Sequence, residues 1–250
     1  MKPIALQLYT VREAAAKDFP ATLRRVAEIG YKGVETAGYH GYEPGEVARM
    51  VKDLGMEIPS CHAALPTPEN ANQVVEDLTA LGSKRVIGGF GPDQLRTVLM
   101  CKQAAETVSR GAELLKPHGL TCGMHNHWWE FHTVDGRLVY DILMQEAPDM
   151  FSELDVYWCA YGKADPVVVT GRYKSRIPLL HVKDGSLAEN APHLAVGSGV
   201  LDIPAIIAAA DPNVLQWLVV ELDDYAGDMW EAVEESYRYL VQNGLGEGNR

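Results

Sequence analysis

Eight times along this chain a short apolar run is followed by a longer amphipathic segment, and few architectures can absorb that rhythm. The apolar runs fall at 4–8, 33–36, 57–63, 85–88, 121–125, 151–155, 179–182 and 216–221. Helix-like stretches follow at 18–30, 44–54, 69–81, 94–116, 138–146, 203–210 and 228–243, and another is opened by Asp165-Pro166. Strictly alternating strands and helices call for a parallel sheet with crossover helices. Eight such pairs predict an α/β fold of the (β/α)8 TIM-barrel type, a single domain over 1–250. The rival is a doubly wound open sheet, which would carry a glycine-rich phosphate turn after its first strand. Here that position reads Gln7-Leu8-Tyr9-Thr10-Val11-Arg12, without a glycine, and Gly88-Gly89-Phe90-Gly91 does not fit GxGxxG.

Composition narrows the partners. The formal net charge is -12, and the basic pairs Arg24-Arg25 and Lys84-Arg85 are scattered. A nucleic-acid binder would carry a basic stripe, so no nucleic acid and no membrane surface are expected. The cysteines at 61, 101, 122 and 159 lack CxxC spacing, which argues against a zinc knuckle or redox pair. No signal-like start or long apolar span is present, and a cytoplasmic location is expected. The apolar positions on the outer helices leave a homo-oligomer open.

In a barrel the chemistry sits at the C-terminal ends of the strands. The predicted strands end in Gln7 and Tyr9, Glu35, His62, His125-Asn126-His127 with Glu130 beyond, Asp155, His181 and Lys183, and Glu221. Side chains two apart share a strand face, so His125 and His127 point together, as do His181 and Lys183. Any one of these residues has an ordinary structural use, as a helix cap, a satisfied histidine or a rim carboxylate. Their coincidence at one rim points to a divalent-metal constellation around Asp155, His181 and Glu221, since buried carboxylates need a cation or several hydrogen bonds. Lys183 and Asp184 could instead pair at the surface. Trp129 and Phe131 could form only an aromatic lid, and Tyr157-Trp158 could stack on a sugar face.

The segment Gly123–Phe131, containing His125-Asn126-His127-Trp128-Trp129-Glu130-Phe131, resembles the YHNHxxEF signature of the sugar phosphate isomerase/epimerase family, a xylose isomerase-like barrel group. Leu154-Asp155-Val156-Tyr157-Trp158, Leu180-His181-Val182-Lys183-Asp184, the glycine loop at 196–202 and Val220-Glu221 are similar to its later motifs. The resemblance implies a divalent metal (Mn, Zn, Co, Mg or Fe) held by Asp155, His181, Glu221 and a fourth ligand from strand five. His125 stands where a carboxylate is expected, and Glu130, the nearest carboxylate, is preferred to it.

The chemistry expected is proton transfer at a carbon next to a metal-bound carbonyl, as in isomerisation or epimerisation of a sugar or ketose. Glu221 would act as one acid/base, with Glu130 or His125 opposite. Gln7, Glu35, His62, His127, Trp158 and Lys183 would bind substrate. A keto-sugar dehydratase or lyase on the same metal site is the alternative, as is a non-catalytic sugar-binding protein. A phosphate on the substrate could rest on the amides of Gly197-Ser198-Gly199; with no basic side chain aimed there, an unphosphorylated or remotely phosphorylated sugar is favoured.

Overall fold

The computed structural model describes residues 1–249. Eight parallel strands close into a barrel: β1 (Lys2–Gln7), β2 (Gly33–Ala37), β3 (Cys61–His62), β4 (Arg85–Gly88), β5 (Thr121–His125), β6 (Phe151–Asp155), β7 (Leu179–Val182) and β8 (Trp217–Val220). Closure comes from β1 pairing with β8, with Ile4 opposite Leu218 and Leu6 opposite Val220. Outside the closed ring, Gly246–Glu247 lies alongside Lys2 and Pro3.

Each strand is buried on both faces, and its period of two sorts side chains between two cores. Ile4, Leu6, Val34, Val86, Leu154, Leu180 and Leu218 point outward beneath the helices. Ala5, Ile87, Leu179, Trp217 and Val219, with Phe151, plug the barrel's interior. Two glycines make room for the plug's rings: a Cβ on Gly33 would come within 2.9 Å of Trp217, and one on Gly123 would run into Phe151.

The helices start and stop where the chain's punctuation places them. Phe19–Ile29 is capped by Asp18, which accepts from the Ala21 amide at 2.8 Å, and ends at Gly30 in the left-handed region. Two predicted extents are shortened. Strand three is regular only at Cys61–His62, because Pro59 has no N–H to give the ladder between the Glu57 and Ser60 contacts to β2. The predicted 94–116 helix is Val98–Leu115, started by Thr97, whose hydroxyl accepts from the Met100 amide. An unanticipated helix, Val156–Tyr161, follows β6 directly.

Candidate active site

The same alternation that builds the plug carries polar residues upward from it. One step above Ala5, Leu179 and Phe151 stand Gln7, His181 and Glu153, and Glu35 comes one step above Gly33. A further step brings Asp155 and Lys183, while Glu221 follows Val219 and His125 follows Gly123. All eight of these polar residues are buried.

Two groups of donor atoms result, each gathered within 4.8 Å, and they share one imidazole. The upper group is His125, Asp155, His181 and Glu221, from four successive strands. His125 Nε2 lies 3.3 Å from Asp155 Oδ2, and His181 Nδ1 lies 3.0 Å from Glu221 Oε2. The lower group is Glu35, His62, Glu153 and His181. There His181 Nε2 sits 2.8 Å from Glu35 and 3.0 Å from Glu153, and His62 Nε2 is 2.7 Å from Glu153. Gln7 donates to Glu35 at 2.5 Å, and the Ser60 hydroxyl donates to its other oxygen.

Asp155 does two jobs at once. Its Oδ1 caps the Val156–Tyr161 helix by accepting from the Trp158 amide at 2.8 Å, which frees Oδ2 to face the cluster. Asn126 fixes its backbone, accepting from the Asp155 amide at 3.0 Å and donating to its carbonyl at 3.2 Å.

Lys183 is the single lysine or arginine lining the cavity at the barrel mouth. Its ammonium lies 3.0 Å from Asp155, 2.7 Å from Glu221 and 3.0 Å from Asp223. Burial would strip its proton, but these three carboxylates hold the lysine's pKa above its ordinary value. Burial likewise opposes ionisation of Asp155 and Glu221, yet Lys183 and the neighbouring imidazoles keep both well below the carboxylate range. Burial works against a charged His62 as well, but Glu35 and Glu153 push it up to about 10. His125 goes the other way: burial pulls it down to about 3, leaving a neutral ring.

Several expectations change. Glu130 is buried but joins neither donor group and does not line the cavity. Its Oε2 accepts from the His127 amide at 2.9 Å, in the turn Trp129–Phe131, so the carboxylate folds back on its own loop. Lys183 and Asp184 do not pair at the surface; both are buried, on opposite strand faces. Asp184 instead accepts from the amides of Gly185, Gly197, Gly199 and Leu201, at 2.8–3.2 Å. The loop thought able to cradle a phosphate is already filled by the protein's own carboxylate.

The mouth is a cavity of about 430 Å³ lined by His62, His125, His127, Lys183, Glu221 and Asp223, with Tyr9 and the β4 glycines. Gly88 and Gly89 form part of its wall, and Leu65 packs so closely that a Cβ on Gly88 would come within 2.6 Å of it. Trp129 braces the wall, stacking on His127 at 4.2 Å and donating to the Phe90 carbonyl at 2.8 Å.

Residues 23–242 match the family described as xylose isomerase-like TIM barrel. This chain belongs to that family. Among solved structures it is similar to two described as sugar phosphate isomerase/epimerase from Parabacteroides distasonis ATCC 8503. One is 26% identical with a TM-score of 0.83, covering 98% of this chain and 96% of that one. The other is 25% identical with a TM-score of 0.83, covering 99% and 100%. An L-ribulose 3-epimerase shares the fold at 16% identity and TM-score 0.71, covering 98% and 95%. A search of curated proteins finds no match. No helix among the described residues is long and apolar enough to cross a membrane.

Two residues of this xylose isomerase-like site escaped the sequence reading. Glu153 lies two positions before Asp155, so the period of two that paired His181 with Lys183 would have found it. His193 is buried and accepts from the Asp223 amide at 3.0 Å. It is brought in by the short antiparallel pairing of Asp184–Gly185 with His193–Leu194, for which the sequence offers no signal.

Proposed function

We propose that the chain is a divalent-metal-dependent isomerase or epimerase of an unphosphorylated sugar or ketose. The observation that carries this is the convergence of His125, Asp155, His181 and Glu221. Their chemistry fits a metal: two imidazoles and two carboxylates in a buried site suit Mn, Fe, Co or Zn better than the all-oxygen preference of Mg. His125, neutral through burial, already has the form a ligand needs. Four buried carboxylates still outnumber Lys183 and the His62 and His181 imidazoles that they hold protonated, which leaves negative charge to be offset.

Glu35 and Glu153 hold His181 Nε2, which orients Nδ1 toward Glu221 in the carboxylate–histidine arrangement common at metal centres. With His125 in the ligand set and Glu130 turned away, the proton carriers are Glu221 and His127, both of which line the cavity. Glu221 takes the proton from the carbon beside the carbonyl, and His127 holds or returns one. Lys183 steadies a substrate oxygen next to Glu221. A bound metal would supply charge stabilisation for the enediolate.

Lys183 favours one rival. Its ammonium bridges Asp155 and Glu221 at the oxygens a metal would take, as in a protein that balances these charges without an ion. Metal analysis of protein purified without a histidine tag separates the two. Near-stoichiometric metal, lost in Asp155→Ala and His181→Ala but kept in Glu130→Gln, is expected. No metal in any preparation, and none taken up on titration, would sink the proposal. With metal established, deuterium from solvent entering recovered substrate marks isomerisation or epimerisation, whereas accumulation of an unsaturated ketone marks a lyase.

A further inference from the structure

Beside the metal cavity lies a second one, of about 610 Å³, and the two share Asp223 as a common wall. It is lined by Trp128 from the loop after β5, by Trp158 and Tyr161 from the Val156–Tyr161 helix, and by His193. The rings meet at steep angles: Trp158 and Tyr161 at 88° with centroids 5.5 Å apart, Trp128 and Tyr161 at 64° and 6.3 Å. Rings set this way form a corner, and Trp128 stays 44% exposed although it sits at the mouth of the barrel. Trp158 joins the two spaces, since Lys183 Nζ lies 5.6 Å from its ring centroid.

Hydrogen-bonding groups face the aromatic corner. Glu189 and Asn190 come from the 186–193 excursion, and Asp224 follows Asp223. The excursion's base is pinned by the Asp184–Gly185 pairing with His193–Leu194 and by Asp224 accepting from the His193 amide at 3.1 Å. Aromatic faces with carboxylates and an amide at their rim match a pyranose, which offers C–H faces and a ring of hydroxyls. No lysine or arginine lines this space, and three carboxylates do, so a phosphate would be repelled from it.

We infer that this aromatic lobe is a subsite for a second sugar ring, so that the substrate is an unphosphorylated disaccharide whose reacting ring sits in the metal cavity. The inference rests on the sugar-directed reading above and adds the size and charge of the substrate.

Calorimetric titration of the purified protein with glucose, glucose 6-phosphate, phenyl β-glucoside, and the disaccharides cellobiose, maltose and laminaribiose tests it. At least one disaccharide should bind tenfold or more tightly than glucose, and glucose 6-phosphate no better than glucose. Trp128→Ala and Tyr161→Ala, checked for unchanged melting temperature, should each cut the disaccharide's advantage about tenfold and leave glucose binding unaltered. A disaccharide-to-glucose ratio near one in the wild type, equal losses for both sugars in the variants, or phenyl β-glucoside binding as tightly as the best disaccharide would each overturn the inference. Failure of the metal proposal reads out separately, in metal content and deuterium exchange, and does not move this ratio.

Discussion

Glu130 shows how a single residue's surroundings decide its role. Burial pushes its carboxyl up to about 8, and one of its oxygens has no hydrogen-bond partner. The folded protein therefore binds a proton that the unfolded chain, with an ordinary value of about 4.3, has released through most of the interval between. Stability from this group is undiminished below the unfolded value and falls as pH rises toward 8. Glu130→Gln, which keeps the shape but cannot ionise, should lose less melting temperature than wild type between pH 5 and pH 8. Equal losses would show that the carboxyl is ionised throughout. At this scale the sequence was readable wherever a strand's period aimed a side chain inward, as at His181, Lys183 and Glu221. Its preference for Glu130 as a metal ligand had no such period behind it, because a turn, unlike a strand, sets no direction. His125 was visible where a carboxylate had been expected, but not that burial beside Asp155 would keep it neutral.

At the scale of elements, the long segment after β7 is organised by a carboxylate at its own start. Asp184 satisfies four backbone amides, including Gly197 and Gly199, and a Cβ on Gly199 would collide with it. Charge-assisted bonds of this kind contribute about 1.5–3 kcal/mol each before their mutual dependence is counted. Asp184→Ala should lower stability by at least about 2 kcal/mol, read from denaturant unfolding, with the 197–201 amides losing exchange protection first. Inorganic phosphate should leave the wild-type melting temperature unchanged, since the nest is occupied; a clear rise would place an anion site there after all. Strands and long helices were legible because hydrophobic periodicity and caps repeat over many residues. Val156–Tyr161 was not, since six residues beginning on a strand's last aspartate carry too little pattern to separate helix from loop.

For the molecule as a whole, closure is the governing fact. Eight strand–helix pairs could be counted in the sequence, but the pairing of β1 with β8 joins residues more than 200 positions apart, and no local pattern encodes it. A closed barrel has no edge strand, so its first and last strands are as protected as its middle ones. Amides of Ile4–Leu6 and Leu218–Val220 should exchange as slowly as those of β5 and β6, by global unfolding only. Faster exchange confined to β1 and β8 would mean that the barrel opens at this seam in solution. The same closure gives the site its depth, because the apolar plug of Ala5, Ile87, Leu179, Trp217 and Val219 forms a rigid floor beneath the polar layers.

The absence of any linker between β6 and the helix that follows has a consequence for how such a mouth can vary. Asp155 is both the last residue of the strand and the cap of the helix bearing Trp158 and Tyr161, so an inserted residue there would pull the cap away from the donor cluster. On this side the protein can be altered by exchange of side chains but not by added length. The opposite wall, at 186–193, is an exposed excursion pinned at its base, where chain can be gained or lost without disturbing a strand. Homologues with differently sized substrates should therefore differ in length at 186–193 and keep the β6 junction unbroken.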